Sequence, residues 1–229
     1  ALVERLTNSG GTPSLDAALA DPPLSSEQLL HPEKYTEFGA RDLPVFLSLP
    51  DDPLGLGSGC EELRRTTMGE LGLRIWLIEG LDASGQVREG SELASKAAEA
   101  AAGWSGDRSV VASCPSGSVF AWLIRFDDDQ EAQPLLELAR RAADGLAERA
   151  GLAARVTIEG EGADVLIAAG VPPAVRARIL RGVREVRYSG LDAFLQAHPE
   201  VLERARSIRA PGQGGRDRRR DSPTDPHGG

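Results

Sequence analysis

The chain has 229 residues, enough for one large domain or two small ones with a sizeable core. Hydrophobic residues make up 41% and charged residues 27%, the proportions of a soluble globular protein. With 26 Lys and Arg against 35 Asp and Glu the net charge is −9, which argues against nucleic-acid binding through a broad positive surface.

Nearly all the positive charge is arginine, since Lys34 and Lys96 are the only lysines. With abundant Ala and Gly, that bias matches a GC-rich bacterial genome. No apolar run approaches the roughly 20 residues that cross a bilayer. The start, Ala1-Leu2-Val3-Glu4-Arg5, has neither a signal-peptide pattern nor an initiator Met, so the expectation is a mature or trimmed piece of something longer. Cys60 and Cys114 belong to no CxxC pair, which leaves a disulfide and two free thiols both open.

In chain order, residues 12–20 read as a short helix ended by Asp21-Pro22-Pro23. Ser25 or Ser26 is placed to cap a turn over 27–30, which Pro32 ends by disfavouring helix in the residue before it. Residues 43–49 form an extended run, and 51–59 a Gly/Pro/Asp loop. Thr67 and Glu70 have capping-box spacing, and Met68, Leu71, Ile75, Ile78 and Leu81 follow at helical intervals. The reading is therefore a helix over 68–79, with a strand over 73–78 as its competitor. After a loop at 82–90, Ser91 caps an Ala-rich helix over 92–102.

Two strands, 108–114 and 119–126, flank the turn Pro115-Ser116-Gly117-Ser118. A long helix follows over 131–150, with Leu135, Leu138, Ala142, Leu146 and Ala150 along one stripe and Pro134 near its start. A second hairpin pairs 154–159 with 164–169 through Gly160-Glu161-Gly162. Helices over 174–180, 191–196 and 199–208 close the fold, and 211–229 reads as a disordered tail whose Arg218-Arg219-Arg220 is diluted by Asp217 and Asp221. This pattern predicts an α+β fold: an antiparallel sheet built from two β-hairpins, helices packed on one face, and a helical N-terminal segment. The expected divisions are a helical and loop segment over 1–66, the α+β domain over 67–210, and the tail.

The stretch Pro22-Pro23-Leu24-Ser25-Ser26-Glu27-Gln28-Leu29-Leu30-His31-Pro32-Glu33-Lys34-Tyr35 concentrates unlike chemistry in few residues. It resembles the PPxSTEQxLHPEKY signature of a bacterial family of exported, zinc-metallopeptidase-like proteins. Thr67-Met68-Gly69-Glu70-Leu71-Gly72 is similar to that family's TLGELG helix start, and Gly103-Trp104-Ser105-Gly106-Asp107-Arg108 to its GWGGDR turn into a strand. Trp122 followed by Asp127 and Asp128 is similar to its Trp-bearing strand and acidic turn; together these cover about residues 10–143. The resemblance implies an HExxH zinc helix upstream, after a signal or lipid anchor, and an extracytoplasmic location. This chain has no HExxH, and His31, His198 and His227 are scattered. Zinc is thus expected only where an upstream HExxH segment exists, and that peptidase-like segment is the partner the resemblance implies. The chain itself is expected to hold no cofactor.

The candidate residues are Glu27, Gln28, His31, Glu33, Lys34 and Tyr35. One reading makes them a structural corner, in which Ser26 and Glu27 cap backbone amides and His31 and Tyr35 bond neighbouring carbonyls. A second makes the chain a hydrolase-like enzyme with His31 and Glu27 or Glu33 in acid–base roles. A third makes it a small-molecule or peptide binding module. The first is favoured, since such local bonding is common at turns, and with no complete catalytic constellation the leading expectation is a non-catalytic accessory domain, structural or recognition, of an exported metallopeptidase-like protein. Gly103–Arg108 reads as a helix C-cap and turn, not a phosphate loop. Trp76, Trp104 and Trp122 read as core, and Asp127-Asp128-Asp129 as a solvated helix N-terminus.

Overall fold

The computed structural model describes residues 2–36, 41–49, 59–82, 90–150 and 156–199. The chain divides into two units, Ala1–Ser189 and Gly190–Gly229, so the segment 1–66 belongs to the same unit as the sheet. In the first unit the elements run α1 (Leu2–Ala20), α2 (Ser26–Leu30), α3 (Glu33–Thr36), β1 (Phe46–Ser48), β2 (Glu61–Thr66), α4 (Gly69–Leu81) and α5 (Glu92–Ala101). They continue through β3 (Trp104–Cys114), β4 (Gly117–Phe126), α6 (Asp129–Ala150), β5 (Val156–Glu161), β6 (Asp164–Ala169), α7 (Pro173–Gly182) and β7 (Arg184–Val186). The second unit is described through α8 (Leu191–Ala197) and its flanks, where the Phe194 and His198 rings lie 4.8 Å apart. The readings for 51–58, 83–89, 154–155, 200–208 and 211–229 lie outside the described residues.

The fold is α+β. Five antiparallel strands lie in the order β2-β3-β4-β6-β5, and the two expected hairpins supply four of them. The fifth, β2, pairs with β3 from Glu61↔Ser113 to Thr66↔Ser109 and lies at the sheet edge. Side chains alternate across a strand, so β4 sends Trp122, Ile124 and Phe126 to one face and Ala121 and Leu123 to the other. On the first face they meet Leu73 and Leu77 of α4 and Leu135 and Ala139 of α6. The second face is also closed, because Val45, Leu47 and Leu49 around β1 and Ile179 of α7 cover Val110, Leu123 and Leu166. With both faces covered, β4 and β6 carry long apolar runs.

Trp104 and Trp122 are core residues, and half-buried Trp76 meets Trp122 edge-on with ring centroids 6.0 Å apart. The helix reading of 68–79 holds and the strand alternative falls away. Helices α4 and α6 cross with their backbones touching: a Cβ at Gly145 would lie 2.1 Å from the Gly80 carbonyl oxygen. Helix α1 is longer than the 12–20 reading because two helices meet at Gly11 (φ 63°, ψ −147°), a conformation open to glycine.

Two local readings change. Trp104 to Arg108 is not a turn but the first part of β3, with a register shift between Trp104 and Gly106; Gly103 does adopt the positive φ of a helix terminus, 75°. The capping box at Thr67 and Glu70 does not form. Thr67 Oγ1 instead donates to the Asp107 carbonyl at 3.2 Å, and Glu70 turns toward His31. Cys60 and Cys114 are disulfide-bonded across 54 positions, joining the approach to β2 with the end of β3.

Candidate functional site

The PPLSSEQLLHPEKY stretch forms α2, α3 and the turn between them, and it docks on the N-terminal half of α4. Ser25 takes extended backbone (φ −139°, ψ 158°) and its hydroxyl accepts from Gln28 N at 3.2 Å, an ordinary N-cap. Ser26 serves a different helix, its hydroxyl accepting from Leu71 N of α4 at 3.2 Å. Gly69 makes this approach possible: a Cβ there would fall 2.4 Å from Ser26 Oγ, and its φ of 73° suits glycine.

Gln28 is fully buried and bonds at both ends of its amide. Its oxygen accepts from Leu24 N at 2.8 Å, and its NH₂ donates to the Asp42 carbonyl. The motif therefore fixes the chain on both sides of itself.

Glu27, 1% exposed, accepts from Lys34 Nζ at 2.5 Å. The same ammonium lies 3.0 Å from Asp42 Oδ2 and 3.4 Å from Asp127 Oδ2, at the start of α6. The three acids offer carboxylate oxygens within 4.8 Å of one another, which is ligand spacing for a cation. Lys34 supplies that cation from within the chain. Burial pushes the Glu27 carboxyl up to about 7, with Asp42 and Asp127 adding to the rise and Lys34 opposing it. For Lys34 burial acts against the charged form, but bonds to Glu27 and Asp42 outweigh it and hold the ammonium above its ordinary range. Glu131 is also pushed up, by burial first and then by Asp127 and Asp128.

His31 forms a second cluster. Its Nε2 lies 3.0 Å from Oε1 of the fully buried Glu70 and 3.2 Å from Arg74 Nη2, while Nδ1 lies 3.6 Å from Glu33 Oε1. Arg74 Nε also donates to Glu70 Oε1 at 3.0 Å. Tyr35 closes the motif, its hydroxyl donating to the Asp21 carbonyl at 2.6 Å under the Arg41 guanidinium, 4.9 Å above the ring. Arg41 in turn bonds Asp21 and the Pro22 carbonyl.

The six candidates thus separate into neighbouring groups. Glu27 belongs with Lys34, whereas His31 belongs with Glu70, Arg74 and Glu33. The His31–Glu27 pairing considered from sequence is not made. Among the described residues no hydroxyl or thiol bonds to His31, so a nucleophile activated by this imidazole is missing from the arrangement.

Asp107 is the residue the sequence reading missed. Its buried carboxylate accepts from Met68 N, Gly69 N and Trp122 Nε1, each at 2.8 Å. It caps α4 from β3 and ties both to the core tryptophan; burial raises its pKa against those three bonds. Its sequence signal is the Gly103–Arg108 stretch, where it reads as part of a turn, and it is the one acid in a strand that also carries Arg108 and three serines. A cavity of about 210 Å³ opens nearby, between Ser25, Ser26, Phe46, Thr67, Met68 and Trp104.

The profile of a family described as "Domain of unknown function (DUF8575)" matches residues 58–181, more than half of the 229-residue chain. No curated protein and no solved structure matches it. The matched span covers the sheet, α4, α5, α6 and most of α7, and the 22–35 motif lies ahead of it.

Proposed function

The chain belongs to the DUF8575 family, and for it we propose a non-catalytic accessory role: a structural or recognition domain of an exported, metallopeptidase-like protein. The observation that carries this reading is the use made of the motif. Glu27, Gln28, Lys34 and Tyr35 are all bonded to partners within the chain: Glu27 with Lys34 ties α2 to α3, Gln28 and Tyr35 hold residues 24 and 21 ahead of α2, Gln28 and Lys34 reach Asp42, and Lys34 reaches Asp127 before α6. Groups so engaged hold geometry rather than transform a substrate. The Cys60–Cys114 disulfide is compatible with an oxidising, extracytoplasmic setting. None of the described helices is long and apolar enough to cross a membrane.

The role as an enzyme keeps one supporting observation, the His31–Glu70 contact at 3.0 Å with the imidazole still 28% exposed. In that reading Glu70 orients the ring and Glu33 stands at its open side. Metal content tests the accessory role. The purified chain dialysed against zinc should retain well under one equivalent by mass spectrometry. Stoichiometric zinc that resists dialysis and is lost in His31→Ala would overturn the accessory reading.

A further inference from the structure

The two edges of the five-stranded sheet are built differently. β2 carries Glu61, Glu62, Arg64 and Arg65, and its register slips between Glu62 and Arg64, the charged and bulged form that keeps an edge from pairing further. β5 lacks both devices over Val156-Thr157-Ile158, which is uncharged. Its register with β6 runs unbroken from Val156↔Ala169 to Glu161↔Asp164. The charges of β5, Glu159 and Glu161, lie toward the turn, and Glu159 is paired with Arg176.

The ladder behind β5 fixes which of its backbone groups lie open. Phe126 N donates to the Ala163 carbonyl, so Val165 and Ile167, which alternate with Ala163 along the chain, turn their N–H and C=O groups to β4. Asp164, Leu166 and Ala168 therefore bond Glu161, Glu159 and Thr157, and the backbone groups of Val156, Ile158 and Gly160 point away from the sheet. No hydrogen bond beyond the β5–β6 ladder engages these three among the described residues.

A groove of about 340 Å³ follows this edge, lined by Val156, Thr157 and Ile158 and by Arg140 and Asp144 of α6. Both charged residues are exposed, and among the described residues neither makes a hydrogen bond or ion pair. They lie one helical turn apart, with the cation first, the order less suited to pairing within a helix. One turn earlier Leu136 sits against Gly160, where a Cβ would fall 2.8 Å from Leu136 Cδ1. Helix α6 thus lies along β5 in the opposite direction, with its Arg140 and Asp144 beside the uncharged part of the strand.

We propose that β5 is a self-association edge, on which two copies of the chain pair antiparallel about a twofold axis at Thr157, Arg140 of each bonding Asp144 of the other. One unpaired cation beside one unpaired anion is a patch complementary to itself under a twofold rotation. The axis places Val156 opposite Ile158 of the second copy, and both residues present open N–H and C=O groups to that pairing. Thr157 meets its own counterpart, a favourable cross-strand pair. A wholly acidic or wholly basic partner would leave Asp144 or Arg140 facing a like charge, so the charges select a second copy. The inference does not depend on the accessory reading.

The test is sedimentation equilibrium of the full chain, from micromolar to millimolar protein. It is run at about 0.15 M salt, where the net charge of −9 on each copy is screened beyond about 8 Å. The wild type should form a dimer as concentration rises. Arg140→Glu and Asp144→Arg should each weaken it at least about tenfold, because each leaves only like charges across the axis. Mixed together, the two variants restore an acid opposite an arginine at both contacts. The mixture should therefore dimerise at least as tightly as the wild type, which also shows that both variants fold. Hydrogen exchange supplies the second readout: the Val156 and Ile158 amides should exchange freely in the monomer and be protected in the dimer. A monomer at every concentration, single variants that dimerise like the wild type, or a mixture no tighter than either variant alone would overturn the proposal. So would protection of these amides in the monomer, which would give the edge to another segment of this chain.

Discussion

Replacing Glu27 with Gln should change how stability depends on pH, and the structure sets the size and sign. The Glu27 carboxyl is displaced from 4.5 to about 7 by burial. That interval of about 2.5 pH corresponds to about 3 kcal/mol at 1.36 kcal/mol per pH. Between pH 4.5 and 7 the unfolded carboxyl has released its proton while the folded one retains it. The folded state binds more protons, so this residue makes stability fall as pH rises through the window. Its penalty is complete above pH 7 and absent below pH 4.5. Gln keeps the shape and an oxygen to accept from Lys34, but it cannot titrate. Lys34, Asp42 and Asp127, the charged groups acting on Glu27, stay the same in both proteins. Guanidinium unfolding followed by tryptophan fluorescence from pH 4.5 to 8.5 gives both curves. Wild-type stability minus that of Glu27→Gln should fall by about 3 kcal/mol across the window. Parallel curves would refute the argument, as would the opposite slope, which would mean that Lys34 governs the carboxyl more than burial does.

Asp107→Ala should destabilise by about 3–5 kcal/mol in the same unfolding assay, because three N–H donors, those of Gly69 and Trp122 in buried bonds, lose their acceptor; a loss under 1 kcal/mol would show that α4 needs no cap from β3. Cys60→Ser with Cys114→Ser should lower stability by about 2–4 kcal/mol, from the unfolded-chain entropy that a crosslink of this span removes. An unchanged unfolding midpoint would mean that the β2–β3 pairing already confines the denatured chain.

Much of the architecture is legible because it rests on local chemistry. The β3–β4 and β5–β6 hairpins announce themselves by apolar strands around Gly-rich turns, and α5 by Ser91, whose hydroxyl accepts from Ala94 N. Strand β2 is hidden because Glu-Glu-Leu-Arg-Arg-Thr carries charge on an edge and owes its conformation to the β3 ladder. The capping box misleads for a related reason. Thr67 and Glu70 have the right spacing, but a carboxylate 40 positions from Thr67 occupies the helix terminus.

The candidate site follows the same division. Sequence locates the motif, and of the structural-corner bonds Ser26 takes a backbone amide and Tyr35 a carbonyl, whereas Glu27 pairs with Lys34 and His31 with Glu70, because side chains from other helices reach them. It cannot locate Glu70 and Arg74, which reach His31 from α4, or Asp127, which lies 93 positions from Lys34. The acidic run itself splits by side-chain direction: Asp128 accepts from Gln130 N and Glu131 N as a helix cap, and Asp127 turns to the lysine.

The central claim is that the motif is a structural joint, and the melting temperature of His31→Ala tests it most directly. Removing the imidazole leaves the fully buried Glu70 with one partner fewer, beside an Oε2 that has no hydrogen bond. The expected loss is about 1–3 kcal/mol, a fall of several degrees in a calorimetric melt at pH 7. An unchanged melting temperature would contradict the joint and return His31 to consideration as a group kept for chemistry.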